Sequence, residues 1–206
     1  NCYLENGLKI NSGEKLKYKI SYGEKNRRRG VLFAAYANLS FTELIKNNEL
    51  VYSISASGKT NRFFSLFMKV SHFYKSILNT ESLNTLEYEM KVQEGKFLDE
   101  EKVCFKSDTL LKNIEINDIL GTAYKLRAIN NDSLKINDTI FFSYYYKNNI
   151  YDSYIINLGK ETIKTKFGPV KTIKFEPKLE KGRRFKKETG AVVWVTDDNM
   201  HLPIKI

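Results

Sequence analysis

The sequence predicts a mainly β chain: a strongly curved antiparallel sheet, an open barrel or a β-roll, with one or two short helices packed at an opening. Three observations predict it. Tyr and Phe number 13 each among 206 residues, and aromatics beside many Ile and Val suit the pleated, half-buried surface of strands. Period-two alternation recurs along the chain, with turn residues between the stretches. Helical periodicity is confined to two places, which leaves runs of strands as the dominant pattern.

The first strand is "KLKYKISYG", where Leu16, Tyr18, Ile20 and Tyr22 alternate with Lys15, Lys17, Lys19 and Ser21. A polar loop from Gly23 to Gly30 follows, then "GVLFAAYANLSFTEL", a turn at Asn47 and Asn48, and "ELVYSISASGKT". The stretch "NRFFSLFMKVSHFYKSIL" mixes the two periods and reads as a short helix leading into the strand "HFYKSIL". "LEYEMKVQ" and "KVCFKSD" are the next strands, separated by a turn at Glu94 and Gly95.

The second helix is "NDILGTAYKLRAINN": Asn117 or Asp118 supplies the N-cap, and Asn130 with Asn131 ends it. Beyond it come "TIFFSYYYKN", "YDSYIINLG", "ETIKTKFGPVKTIKFEPK", "AVVWVT" and "LPIKI". Turns are expected at Asn148–Asn149, Gly159, Gly168–Pro169, Gly182 and Asp197–Asn199. The total is about ten strands. No linker rich in Pro, Gly or Ser divides the chain, so residues 1–206 read as a single mainly-β domain.

Composition narrows the function classes. Hydrophobic residues make up 42% of the chain, which excludes overall disorder. No apolar run reaches the roughly 18 residues needed to cross a bilayer as a helix, and no leader with a charged start and apolar centre opens the sequence at Asn1. The formal charge is +10, with "RRR" at 27–29 and "KGRRFKK" at 181–187. Such charge suits an anionic envelope polymer or membrane surface. It also admits a basic nucleic-acid-binding module, although no helix-turn-helix or aromatic RNA-binding strand accompanies it, which disfavours nucleic acid.

The phosphate loop, the dinucleotide fingerprint, the zinc-protease helix, the nucleophile elbow and the calcium loop have no counterpart here. No cofactor is implied. His72 and His201 are the two histidines, and neither has the neighbouring ligands of a zinc site. Asp197 and Asp198, with His201 or Arg127 nearby in chemistry, are the candidates for an Asp-based hydrolase or lyase acting on envelope polymers. Side chains of adjacent residues on a strand point to opposite faces, so the pair cooperates only within a turn, and "TDDN" is a turn composition.

Ligand binding draws on a different set. "FFSYYYKNNIYDSY" places Phe142, Tyr144 and Tyr146 on one face of a strand and Phe141, Ser143 and Tyr145 on the other. Aromatic side chains on both faces suit a strand packed on one side and lining a sugar or lipid groove on the other. Tyr124, Arg127, Tyr144, Tyr146, Trp194 and Asp198 are therefore the candidate ligand-binding residues. Cys2 and Cys104 are far apart in sequence; they either pair in an oxidising compartment or remain as two thiols.

Four stretches taken in order carry a resemblance: "GEKLKYKISY" from Gly13, "DILGTAYKLRA" from Asp118, "LGKETIKTKFGPVKTIKFEP" from Leu158 and "VVWVTDDNMHLPIKI" from Val192. Together they resemble the exported bacterial family catalogued as domain of unknown function three-one-zero-eight. Its members show "GExLxY", a "DxxSxxYxxR" helix, "ExIxTxxGxFxxxxxxP" and a closing "WxSxDxxxxPV". This chain departs from the pattern at Gly121, which stands near the helical Ser position, and at His72. The early and central cysteines and the Asn-, Lys- and Ile-rich composition are similar to those of Bacteroidetes members.

The resemblance implies a mainly antiparallel β protein, exported to the periplasm or associated with the cell envelope, its signal peptide removed. It supplies no catalytic residue. The expectation drawn from residues and resemblance together is a non-enzymatic binding protein for a hydrophobic or glycan envelope ligand, or for a protein partner.

Overall fold

The computed structural model describes residues 8–22, 32–105, 116–130, 133–178 and 191–206. Mainly antiparallel β structure with two helices is what it shows, and one of its two sheets is strongly curled, like half a barrel. The described residues divide into two compact units, one within Ile10–Gly121 and one within Thr122–Ile206, the division falling inside a helix.

In the first unit β1 (Lys15–Tyr22), β2 (Leu32–Lys46), β3 (Glu49–Thr60), β4 (Val70–Asn79), β5 (Thr85–Glu94) and β6 (Phe97–Cys104) pair in sequence order, each antiparallel to the last. The turn between β2 and β3 places both Asn47 and Asn48 at positive φ, 51° and 63°, a conformation that asparagine tolerates better than most residues. Between β3 and β4 lies the short helix α1 (Arg62–Ser65), capped by Asn61, as the mixed periodicity predicted. Register explains the alternation seen in sequence. Leu16, Leu39, Ala56, Tyr74 and Met90 lie opposite one another across five strands, as do Phe41, Ile54, Ser76 and Tyr88 across four. Phe41, Ile54, Leu78, Tyr88 and Met90 on that face are almost wholly buried. They form the centre of the unit.

A two-residue strand β7 (Asn117–Asp118) precedes α2 (Ile119–Lys125), which tightens into a 3-10 turn over Leu126–Ala128. The second unit then builds β8 (Thr139–Tyr146), β9 (Asn149–Thr165), β10 (Gly168–Pro177), β11 (Val193–Thr196) and β12 (Pro203–Lys205), ordered β12-β11-β10-β9-β8. Ile129, Ile155, Ile173, Phe175 and Val195 form its core, with Ile140 and Phe142 packed against them.

The structure corrects three boundaries. Gly159 does not end a strand: the two stretches expected on either side of it are one strand, β9, and Gly159 sits where its register with the next strand shifts. Its φ is +94°, and an added Cβ would lie 3.2 Å from Ile136 Cδ1, so the irregularity falls at the residue with no side chain to move aside. The turn expected at Gly168–Pro169 sits two residues earlier, at Lys166–Phe167. The strand around Cys104 begins at Phe97, and twelve strands stand among the described residues where about ten were expected.

Candidate functional site

Across β1, β2 and β3 of the first unit, one sheet face is set by the residues that oppose the apolar ones. Lys15, Ser40 and Ser55 lie in one row, and Lys17, Asn38 and Ser57 in the next. These six, with Leu16 and Leu39, line a shallow depression of about 290 Å³. Ser40 and Ser55 share a hydrogen bond of 2.8 Å between their hydroxyls, while Asn38 Nδ2 reaches Ser57 Oγ at 3.5 Å. Lys19, Tyr36 and Lys59 form the third row.

Those three rows carry four lysines and no carboxylate from β1 to β3. Acidic side chains enter the first two only at β5 and β6, as Glu89 and Glu100. The face is thus cationic and rich in hydroxyls at one side and charge-balanced at the other. Neither Lys15 nor Lys17 makes an ion pair among the described residues. Chemically the depression offers two cations, an amide and three hydroxyls to a ligand. The sequence signal for it was present, because the lysines are the polar half of the "KLKYKISYG" alternation; what was missing was which hydroxyls stand beside them.

A second polar cluster sits inside the same unit. Asp118 is wholly buried. Its Oδ1 accepts from Ser76 Oγ at 2.7 Å, Leu120 N at 2.8 Å and Gly121 N at 3.1 Å, and its Oδ2 accepts from Thr85 Oγ1 at 2.7 Å. Burial pushes its proton affinity above the ordinary carboxyl range; the four donors pull it back only in part. Gly121 is held close to the same groups: a Cβ there would lie 2.7 Å from Thr85 Oγ1 and 3.0 Å from Leu78 Cδ2. The expected N-cap is therefore real, and it also fastens β4 and β5 to the start of α2. Reaching β4 and β5 from Asp118 is information that no local pattern holds.

The ligand-binding candidates named from sequence lie in the second unit, where they are largely taken up by packing and by local bonds. Tyr124 is 1% exposed and lies under the Arg127 guanidinium, 5.0 Å from ring centroid to Cζ. Arg127 is buried too, and its Nε donates to the Met200 carbonyl at 3.0 Å. His201 Nδ1 approaches the Arg127 carbonyl at 2.7 Å; since a carbonyl only accepts, that nitrogen carries the proton. Trp194 is half-buried, with Lys205 over its ring and its indole N–H donating to Glu161. That hydrogen bond, helped by the Lys174 and Lys205 charges, holds the Glu161 carboxyl below its usual range.

Tyr144 stacks on Tyr151 at 5.5 Å, and Tyr146 carries Lys147 over its ring. In the first half of β8 burial alternates, Phe142 turning to the core while Phe141 is 77% exposed beside Tyr154; Tyr145, two pairs further along Phe141's face, is buried. Asp198 is exposed, and its Oδ1 accepts from Thr196 Oγ1 at 2.7 Å, Met200 N at 2.9 Å and His201 N at 3.2 Å. Asp197 instead pairs with Lys160 at 2.8 Å. The two carboxylates thus serve different neighbours, within the hairpin that the "TDDN" composition predicted.

His72 lies against Glu94 at 3.1 Å, and among the described residues no three His, Cys, Asp or Glu side chains gather as a metal would require. No helix among the described residues is long and apolar enough to cross a membrane. Cys104 is exposed at the end of β6. Cys2, the arginine run at 27–29 and the cluster at 181–187 lie outside the described residues.

Comparison with known proteins places the chain. The family described as "Protein of unknown function (DUF3108)" matches residues 17–206. No curated protein and no solved structure matches. With almost its whole length matched, the chain belongs to that family.

Proposed function

We propose that this member of the DUF3108 family is a non-enzymatic binding protein of the bacterial cell envelope, exported to the periplasm, and that its ligand is a glycan bearing anionic groups. One observation carries the reading: the depression across β1–β3, where Lys15 and Lys17 stand beside Asn38, Ser40, Ser55 and Ser57 with no carboxylate in their rows before β5. Lysine ammoniums suit a carboxylate or phosphate on a sugar, and hydroxyls and an amide suit its ring hydroxyls. At about 290 Å³ the space lies near the lower end of ligand sites, which fits one or two sugar units of a longer chain rather than an enclosed small molecule. The +10 formal charge favours encounter with an anionic polymer. Export is what the resemblance to the family implies.

Titration calorimetry with a uronic-acid oligosaccharide and a neutral oligosaccharide of equal length tests the reading. The uronate should bind, more weakly as salt rises, and Lys15→Glu with Lys17→Glu should reduce that binding by about tenfold or more, the scale of losing two cationic contacts. No binding of the uronate, or binding that ignores both substitutions, rejects the site.

A further inference from the structure

Unlike the other described turns of the first sheet, the β3–β4 connection contains a short helix, α1. Its residues Phe63, Leu66, Phe67 and Met68 are 60%, 82%, 77% and 58% exposed. Single exposed apolar side chains are ordinary, but contiguous exposed apolar surface marks an interaction site. The adjoining β5–β6 hairpin adds Phe97 and Leu98, 53% and 63% exposed, and it is tied to the same edge by Gly95 N donating to the Lys69 carbonyl at 2.7 Å.

The apolar tip is held from beneath by polar bonds. Asn61 Oδ1 accepts from Phe64 N at 2.9 Å, Asn61 Nδ2 donates to the Phe33 carbonyl at 2.6 Å, and Ser65 Oγ donates to the Asn61 carbonyl at 2.7 Å. The backbone N–H groups of Leu66, Phe67 and Met68 donate within the turn, to Phe63 O and Phe64 O. These donors are already satisfied, which is the condition for a backbone segment to leave water without penalty.

Charge decides what the tip meets. Lys59, Arg62, Lys69 and Lys96 are exposed around it. The nearest acidic side chains in sequence, Glu94 and Asp99, are half-buried, Glu94 against His72. An apolar wedge ringed by cations matches the boundary of an anionic bilayer, where Phe, Leu and Met enter the acyl edge and Lys and Arg reach the headgroups. We infer that the β3–β4 and β5–β6 hairpins form a docking edge by which this protein inserts shallowly into an anionic lipid surface. This inference does not rest on the glycan reading, because none of its apolar residues lines that depression.

Flotation of the full chain with vesicles of phosphatidylcholine, with and without phosphatidylglycerol, tests it. The protein should float with the anionic vesicles and not with the neutral ones. Phe63→Ser with Phe67→Ser should weaken that binding by more than about tenfold, since each ring withdraws a large apolar area from water. Arg62→Glu with Lys69→Glu should abolish the preference for phosphatidylglycerol. All four side chains lie at the surface, so the variants should melt with the parent. The inference is overturned by absence of flotation, by flotation that the Phe variant leaves unchanged, or by equal binding to neutral vesicles. Self-association that the Phe variant abolishes, without flotation, overturns it in favour of a second copy of this chain as the occupant.

Discussion

Asp118 in the first unit and Asp198 in the second make nearly the same local arrangement in two different settings. In each, one carboxylate oxygen collects three donors: a hydroxyl and two backbone N–H groups. Asp198 takes its hydroxyl from Thr196, two residues away, and stays in solvent. Asp118 takes its hydroxyls from Ser76 and Thr85, which lie 42 and 33 residues away, and is sealed from solvent. The first arrangement closes a turn; the second joins strands and a helix. Chemistry of the cap is shared, whereas burial and sequence separation determine how much stability depends on it.

That contrast can be broken most forcefully at Asp118. Asp118→Ala strands the hydroxyls of Ser76 and Thr85 and the amides of Leu120 and Gly121, and buried donors without acceptors cost about 1–3 kcal/mol each. A loss of about 3–5 kcal/mol in urea unfolding is expected, at the large end for a single substitution. Asp118→Asn keeps one acceptor oxygen and should cost less. It also isolates the charge. A carboxyl whose proton affinity is higher in the folded than in the unfolded chain binds more protons when folded, so stability falls as pH rises from the ordinary carboxyl range towards the raised native value. The parent should show that decline and Asp118→Asn should lack it. A parent stability that rises across the same interval would show that the donors outweigh burial.

A smaller effect is expected at Gly121. Alanine is the better helix former by up to about 1 kcal/mol, yet its Cβ would press on Thr85 Oγ1 and Leu78. Overpacking of this kind costs about 1–3 kcal/mol, so Gly121→Ala should lower the melting temperature. A stabilised variant would mean that Thr85 moves aside freely. Asp198→Ala should have the least effect, about 1 kcal/mol, because water can replace it at an exposed turn. A loss as large as that of Asp118→Ala would erase the distinction between the two sites.

Much of the fold was legible because strand alternation and turn residues are local. "KLKYKISYG" predicted β1, Asn47-Asn48 predicted a tight turn, and "TDDN" between "AVVWV" and "LPIKI" predicted the closing hairpin. Gly159 misled because a glycine at positive φ serves a register shift within a strand as readily as a turn between two strands. The candidate residues were harder. Tyr124 and Arg127 were named from one helical stretch and Trp194 and Asp198 from the closing hairpin, and local pattern does not say whether such residues pack or face a ligand; Tyr124 lies beneath Arg127. Lys15 and Lys17 looked like the solvated half of an ordinary strand.

By itself the sequence determined the strand-rich class, the two helical stretches, most turns, the cap of α2 and the family, since each is written in neighbouring residues or in the order of four motifs. Tertiary structure alone decided that Asp118 meets Ser76 and Thr85, that Lys15 and Lys17 face Asn38, Ser40, Ser55 and Ser57, and that Phe63, Leu66 and Phe67 remain uncovered. The physical reason is register. Alternation tells which side chains share a face of one strand, but which strand lies opposite, and at which residue, is set by cooperative pairing of the whole sheet.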